Sequence, residues 1–438
     1  METDKTTLTD LSILDTGDDF SVFNKINYCI TSGGRQRLLA NFNTPLKTIE
    51  AIQGIQQTLQ CIIANEQHWP SQISNGGVMV IEKFFTATID EIPAHPSAAG
   101  VMAYKIFHGP DFYFVKYSAE HLFDFIKGMQ QLVAYFFKDD LPAPLKTVLQ
   151  EAASVLSQPA FEALHPFSKS KEMPLGKQLT LAHFIRYRYK RNILQLLDTW
   201  YQLDAWYGMS MAVKKLGLVF PKFTHTPKPL LHLKGLYHLL LPQPVAYDIA
   251  LDPEKNFLFL TGANMAGKST FIKSVGTAVF LAHLGMGVPA AAMELSVFDG
   301  LLSNINVVDN IARGESYFYN EVQRIKSTVQ KIAHGKNWLI LIDELFKGTN
   351  VQDAMKCSIE VIEGFLKIKD SMFILSTHLY EIGAGLQQHP NILFRYFETS
   401  VKDEQLQFSF QLKDGISNDR LGYLILKREG VVDLLQQL

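Results

Sequence analysis

TGANMAGKST, residues 261–270, follows the apolar run NFLFL at residues 256–260 and precedes a stretch with helical spacing of its apolar residues. Strand, glycine-bearing loop and helix, in that order, are the context in which GxxxxGK[ST] binds phosphate. Glycines let backbone N–H groups close around phosphate oxygens, and the helix N-terminus adds its dipole. The pattern predicts an α/β nucleotide-binding domain whose loop is formed by Gly262, Ala263, Asn264, Met265, Ala266, Gly267, Lys268, Ser269 and Thr270.

Two side chains of this loop have distinct expected roles. Lys268 should reach the β and γ phosphates as a catalytic residue, and the Ser269 hydroxyl should ligate Mg²⁺. The sequence therefore predicts ATP and Mg²⁺ as ligands and an enzyme that hydrolyses ATP.

An acidic pair follows a second apolar run. WLILI at residues 338–342 has the composition of a buried strand and is followed by Asp343 and Glu344, at the strand end where open α/β sheets bind ligands. We expect Asp343 to hold Mg²⁺, and Glu344 to orient and deprotonate the attacking water. Alone, the pair is equally typical of a solvated strand end, and the phosphate loop is what favours catalysis.

A third apolar run, at residues 372–375, ends in Ser376, Thr377 and His378. If this strand neighbours the other two, its C-terminal end lies beside theirs. His378 is then a candidate catalytic residue that senses the γ-phosphate. The alternative is a structural histidine.

GESYFYNE, residues 314–321, marks the start of a further helix. Ser316 lies at that start, where a hydroxyl caps the helix or binds an anion. From the residues alone, Ser316 is a helix cap. The apolar residues of the helix fall at Phe318, Val322, Ile325, Val329 and Ile332.

The chain that precedes these motifs has helical character. Residues 177–215 keep apolar side chains at spacings of three and four without a proline, which predicts one continuous helix of about 60 Å. Beyond a proline-containing join, short apolar runs alternate with helices, as in a parallel sheet. We expect a multidomain protein, with an α-helical core and lever domain at residues 1–225 and an α/β ATPase domain at residues 226–438.

Charge is distributed unevenly along the chain. The net charge is −2, yet residues 141–240 carry thirteen Lys and Arg against five Asp and Glu. Within this basic band, Arg186, Lys190 and Arg191 are expected to contact DNA, because positions 186 and 190 share one face of the predicted helix. The alternative is the solvated face of an amphipathic helix.

Composition favours a cytoplasmic protein without a membrane partner. The first twenty residues are polar and acidic, unlike a secretion signal. The longest apolar run, residues 275–293, contains His283 and three glycines, so we interpret it as a buried helix and its exit loop. The three cysteines lack CxxC spacing, which favours neither a disulfide framework nor a zinc site.

TGANMAGKST, GESYFYNE, LILIDELFKGTN, STHLYE and KDGISNDRLGY, in this order, resemble the ATPase domain of the MutS family, within the ABC-type ATPases. Asn264, Met265 and the pattern G-x-S-x-F-x-x-E are the features that separate it from kinases, GTPases and transporters. The resemblance implies that Ser316 reaches the γ-phosphate bound by the other subunit of a homodimer, in trans. It also implies a mobile, dimer-facing role for residues 348–350.

The N-terminal half resembles the family more weakly. Thr31, Gly34 and Leu38 are similar to the start of its core domain, and residues 202–223 to the end of its lever helix. The resemblance does not include the family's mismatch-reading domain. We therefore expect a DNA-binding ATPase that opens and closes on DNA, in repair or recombination, without reading mismatches. The alternative is an ATP-driven conformational module that grips a protein partner rather than DNA.

Overall fold

The structure, a computed structural model, describes residues 1–14, 20–138, 140–162, 164–306, 317–332, 335–402, 405–417 and 431–436. The chain divides into two compact units. A helical unit comprises Ile26–Asn43 and Gly54–Lys214, and a sheet unit comprises Met1–Lys25, Thr44–Gln53 and Lys215–Leu438. The expected helical part followed by an α/β part is thus confirmed.

The helices and strands alternate only in the C-terminal half of the chain. The helices are α1 (Lys5–Asp10), α2 (Val22–Ile26), α3 (Ser32–Phe42), α4 (Ile49–Ala64), α5 (Asn75–Thr86), α6 (Ala98–Phe107), α7 (Gly109–Phe136), α8 (Ala143–Leu156), α9 (Pro159–Glu162), α10 (Leu175–Tyr187), α11 (Lys190–Leu216), α12 (Lys268–Ala282), α13 (Tyr317–Ile332), α14 (Val351–Leu366), α15 (Glu381–Leu386) and α16 (Val431–Gln436). The strands are β1 (Lys222–Phe223), β2 (Leu231–Leu236), β3 (Tyr247–Leu251), β4 (Phe257–Thr261), β5 (Ala292–Leu295), β6 (Gly300–Asn304), β7 (Trp338–Asp343), β8 (Met372–Ser376), β9 (Ile392–Lys402) and β10 (Gln405–Asp414).

The helical unit is organised around α7, which packs against α5, α6, α8 and α10. In α11, the fully buried Asp204 carboxylate accepts hydrogen bonds from the Ile30 N–H at 2.8 Å and from the Thr31 hydroxyl at 2.6 Å. A Cβ atom at Gly34 would lie 2.1 Å from an oxygen of Asp204. Close approach of the carboxylate to the first turn of α3 therefore requires glycine there.

The predicted continuous helix over residues 177–215 is wrong. The structure interrupts it at Arg188 and Tyr189, between α10 and α11. The Phe184 carbonyl accepts the N–H groups of both Arg188, at 2.8 Å, and Tyr189, at 3.0 Å, and this shared acceptor ends α10.

Both sides of the interruption contact α5. The Arg186 guanidinium donates to the carbonyls of Phe84 and, at 2.7 Å, of Ala87, and the Lys190 ammonium donates to the Phe85 carbonyl at 3.2 Å. Cations at a helix C-terminus satisfy its orphan carbonyls and complement its dipole. Both sides of the interruption are therefore fixed against the end of α5.

The sheet unit contains a six-stranded sheet in the order β10-β9-β4-β8-β7-β6. All neighbouring pairs from β9 to β6 are parallel, and β10 pairs antiparallel with β9. The three apolar runs of the sequence form β4, β7 and β8, and every residue of these strands is buried. Because these three strands are adjacent and parallel, their carboxyl ends meet at one edge of the sheet.

The sheet unit includes the N-terminal residues of the chain. Glu2 pairs with Gly300 at the start of β6, and α1 packs on the same strand. The buried Asp10 carboxylate accepts the Ser303 hydroxyl at 2.7 Å and the Ile305 N–H at 3.0 Å. The compact units therefore depart from the expected linear division at residue 225. A smaller sheet in the same unit has the order β1-β5-β2-β3.

The long apolar run is buried, as expected. Residues 275–290 are buried through α12 and its exit loop, whereas Ala291 and Ala292 are exposed. Among the described residues, no helix combines the length and the apolar character needed to cross a membrane.

Candidate active site

The predicted phosphate loop turns sharply between β4 and α12. Gly262 has φ +141° and Gly267, which precedes the first turn of α12, has φ +107°. Both values lie where only glycine is relaxed, and a Cβ atom at Gly262 would lie 3.2 Å from Phe397. Met265 also has a positive φ, +68°, and its side chain is 70% exposed. The two predicted loop glycines are thus required by the backbone.

Lys268 is buried in the first turn of α12. Its ammonium donates hydrogen bonds to the carbonyls of Gly262, at 2.7 Å, and Ala263, at 3.0 Å. Burial lowers the pKa of Lys268, and the nearby charges of Glu344 and Asp343 oppose that effect. The predicted phosphate cation therefore lies inside the loop, near both acidic residues.

Asp343, the last residue of β7, is bonded to hydroxyl groups from two other elements. Ser269 of α12 donates to one of its oxygens and Ser376 of β8 donates to the other. The structure thus brings the predicted pair Ser269 and Asp343 into direct contact. Ser376 was not singled out in the sequence, although it ends the third apolar run.

Glu344 follows in an unusual conformation, with φ +64°. Its N–H donates to the Ser376 carbonyl at 2.9 Å, and its carboxylate lies 3.3 Å from the Lys347 ammonium. Burial acts to raise the pKa of Glu344, but His378, Lys347 and Lys268 outweigh it and lower that pKa from 4.5 to about 2. Glu344 is therefore an ionised carboxylate held next to two lysines.

His378 follows β8, which lies between β4 and β7. Its Nδ1 atom is 3.6 Å from a Glu344 oxygen, and its side chain is 51% exposed. The condition set for this residue, that the three strands be neighbours, is met. His378 consequently joins the acidic pair at the strand ends.

A cavity of about 360 Å³ opens in front of the loop. Its lining includes Asn264, Met265, Lys268 and Ser269, together with Glu344. Other parts of the lining come from residues that carry no motif and were not predicted. They are Leu241, Gln243, Val245, Tyr247 and Phe410.

The helix expected after residue 316 is present as α13, whereas Ser316 itself lies outside the described residues. Ile325 and Ile332 are buried, but Val322 and Val329 are exposed, so the expected apolar face is only partly covered. Glu321 of the same motif is buried and accepts the N–H groups of Lys347 and Gly348.

The three predicted DNA contacts lie in the helical unit. Arg186 and Lys190 cap α5, and Arg191 is exposed. Contact of these three residues with DNA stays a prediction. Of the three, Arg191 is the one that takes no part in the α5 cap.

Residues 258–433 match the family model of MutS domain V. The C-terminal part of this chain belongs to the MutS family. The MutS domain V match begins within β4 and ends within α16, so it contains the phosphate loop, the acidic pair and His378.

Relatives of the matched region carry mismatch repair names. The DNA mismatch repair protein MutS of Pseudothermotoga lettingae is 29% identical over 232 residues, which is 52% of this chain and 28% of that protein. MutS of Leuconostoc citreum is 33% identical over 188 residues, 43% of this chain and 22% of that protein. The DNA mismatch repair protein msh3 of Aspergillus fumigatus is 27% identical over 248 residues, 54% and 22% respectively. The chain thus matches less than a third of the length of these relatives.

Proposed function

We propose that this chain is a cytoplasmic ATPase of the P-loop, ABC type that binds DNA and works as a dimer. The observation that carries the proposal is the meeting of Lys268, Ser269 and the acidic pair at the carboxyl ends of adjacent parallel strands. Ligands of open α/β sheets bind at this edge.

The donor set fits Mg²⁺. Ser269 and Asp343 present hydroxyl and carboxylate oxygens in contact with each other, and Mg²⁺ prefers hard oxygen ligands. These two residues would hold the ion, which supplies neutralisation of phosphate charge when it is bound.

Each side chain has a separate role in phosphoryl transfer to water. Loop N–H groups and the Lys268 ammonium bind the β and γ phosphates and stabilise negative charge as the bond to the γ phosphorus breaks. Glu344 accepts a hydrogen bond from the attacking water and takes its proton as the new P–O bond forms. His378, beside Glu344, contacts the γ-phosphate.

Exposed apolar side chains near the loop support a dimer. Met265, in the phosphate loop, is 70% exposed, and Val351, at the start of α14, is 62% exposed. Exposed apolar residues of this kind mark protein interfaces. In the proposed homodimer, Ser316 reaches the γ-phosphate bound by the partner subunit. Binding and hydrolysis of ATP drive opening and closing on DNA.

The DNA part of the proposal rests on the mismatch repair names of the relatives and on the basic band at residues 141–240. Phosphate contacts from such a band do not depend on base identity, so we propose repair or recombination on DNA without mismatch reading.

One observation favours a second candidate, a module that grips a protein partner. In the helical unit, Ile106 and Phe107 at the end of α6 are 69% and 80% exposed, whereas two of the three predicted DNA contacts are engaged with α5. Apolar exposure at a helix end suits a protein surface better than phosphate.

ATP hydrolysis by the full chain, with and without Mg²⁺ and across protein concentrations, tests the central proposal. Activity that requires Mg²⁺ and rises more than linearly with protein concentration is expected from a dimeric ATPase. Absence of hydrolysis at any concentration contradicts it.

A further inference from the structure

Glu321 stands out as a buried carboxylate beside the reaction site. It lies one turn into α13, is 5% exposed, and one of its oxygens accepts the Lys347 N–H at 3.2 Å while the other accepts the Gly348 N–H at 3.2 Å. Burial raises the pKa of Glu321, which those backbone hydrogen bonds oppose. Burying a carboxylate costs free energy unless it is hydrogen-bonded. The two loop N–H groups therefore stabilise the Glu321 carboxylate in its buried position.

The loop that Glu321 binds is the one that leaves the acidic pair. It carries Glu344 at its start and Lys347 three residues on, and these two side chains form an ion pair at 3.3 Å. Two of its residues, Glu344 and Phe346, have φ of +64° and +59°. Non-glycine residues in that region are strained, and they persist only where surrounding contacts over-determine them.

The surrounding contacts come from the first turn and a half of α13. The Phe318 ring packs against the Phe346 ring at a centroid distance of 5.7 Å. At Gly348, an added Cβ atom would lie 2.8 Å from the Phe318 nitrogen, so helix and loop backbones touch directly. Together with the Glu321 carboxylate, these contacts hold the loop against α13.

We infer that Glu321 is a positioning residue for ATP hydrolysis, which clamps the loop backbone at residues 347–348 and so fixes the direction of the Glu344 carboxylate. The inference rests on the proposed function. Glu321 acts through Glu344, whose orientation toward the attacking water depends on a strained loop. A small displacement of the Glu344 carboxylate would lower the rate of hydrolysis strongly.

Three variants of the full chain test the clamp. Glu321→Ala removes both acceptors, and Glu321→Gln keeps the shape and one acceptor oxygen. Thr328→Val is the matched control, because Thr328 is equally buried on α13 and accepts its hydrogen bond from Asn304 of β6, at 3.3 Å, rather than from residues 347–348. For each, kcat and KM for ATP and the thermal midpoint are measured.

Glu321→Ala should lower kcat about 10- to 100-fold with KM changed less than about 3-fold, and Glu321→Gln should lose less. Thr328→Val should retain kcat at a similar loss of thermal midpoint. In the Glu344→Gln background, adding Glu321→Ala should change kcat less than about 2-fold, because the clamp acts through the lost carboxylate.

The outcomes separate the inference from the function beneath it. No hydrolysis by the wild-type chain, or none of the expected slowing in Glu344→Gln, overturns both. If Glu344→Gln is slow but Glu321→Ala hydrolyses ATP at the full rate, only the clamp is overturned. The clamp is also overturned if the kcat of the double variant falls by the product of the two single losses, or if Thr328→Val loses as much kcat as Glu321→Ala. Should Glu321→Ala fail to fold, the same comparisons are made with Glu321→Gln.

Discussion

The Ser269 hydroxyl donates a hydrogen bond to the Asp343 carboxylate across 74 residues of sequence. The contact exists because β8 places β4 and β7 on either side of it, so that the helix after one strand and the end of the other face the same space. Ser376, from β8 itself, completes the arrangement by donating to the second Asp343 oxygen. Three strand ends thus converge on one carboxylate.

Substitutions at this convergence should separate binding from chemistry. Lys268→Ala removes the buried ammonium that we propose binds the phosphates, so most ATP binding should disappear. Glu344→Gln keeps the side-chain shape but no longer accepts a proton, so ATP should still bind while hydrolysis slows by about 10²- to 10⁴-fold. Equilibrium binding of a fluorescent ATP analogue and steady-state hydrolysis distinguish the two effects.

The Ser269→Ala variant tests whether the Ser269 hydroxyl holds Mg²⁺. It should raise the Mg²⁺ concentration needed for half-maximal hydrolysis more than it changes binding of the nucleotide itself.

If Glu344→Gln hydrolyses ATP at the wild-type rate, another residue is the base.

The proposed trans-acting role of Ser316 predicts complementation between inactive subunits. Ser316→Ala lacks the hydroxyl offered to the partner, and Lys268→Ala lacks the nucleotide site, so a mixed dimer regains one complete site. The specific activity of the mixture should exceed that of either variant alone. Subunit exchange is verified by fluorescence energy transfer between labelled chains. With exchange demonstrated, unchanged activity leaves Ser316 as a helix cap.

A buried histidine predicts how stability depends on pH. His283 is fully buried, with Nδ1 2.9 Å from the Val279 carbonyl and Nε2 accepting the Phe298 N–H at 3.1 Å. Burial lowers the pKa of His283 from 6.5 to about 4. Because the folded-state pKa is depressed, stabilisation by the neutral ring is complete above pH 6.5 and is lost as pH falls toward 4.

Between pH 7 and 5 the wild-type chain should therefore lose about 2 kcal/mol more than His283→Gln, whose amide keeps a donor and an acceptor without a charge. Urea unfolding at the two pH values measures the difference. Parallel losses in both proteins would show that His283 does not titrate on unfolding.

Much of the site was predictable because its residues follow periodic strands. The runs before Thr261, Asp343 and Ser376 are wholly apolar, as expected for strands buried on both faces, and their parallel order brings the strand ends together. For the sheet itself, the edge strands and the neighbours of each strand had to come from the structure.

Features set by tertiary contacts could not be predicted. No proline or glycine stands between Ile185 and Ile193, so no helix-breaking residue marked the interruption between α10 and α11 in the sequence. Val245 and Tyr247 line the cavity without any motif, because a wall needs only shape and apolar character. Asp10, polar and near the chain start, gave no sign that it would be buried against β6.

Binding to DNA is the last prediction, and the structure sharpens its design. If the basic band contacts phosphates, log affinity should fall steeply with log salt, and matched and mismatched duplexes should bind alike. Replacing Arg186, Lys190 and Arg191 together with Ala should weaken binding to every DNA by a similar factor. The same change frees the carbonyls of α5, so the triple variant should also lose thermal stability.

Arg191→Ala is therefore the cleaner variant, because Arg191 is exposed and takes no part in the α5 cap. It should reduce the salt slope by about 1 with an unchanged thermal midpoint and unchanged basal ATP hydrolysis. Lys171→Ala, at an exposed residue of the same basic band, serves as the control for loss of charge elsewhere. A salt slope near zero in the wild-type chain favours the protein partner instead. Affinity raised more than about tenfold by a single mismatch, roughly 1.4 kcal/mol, contradicts binding without mismatch reading, because discrimination of that size requires contacts to base edges.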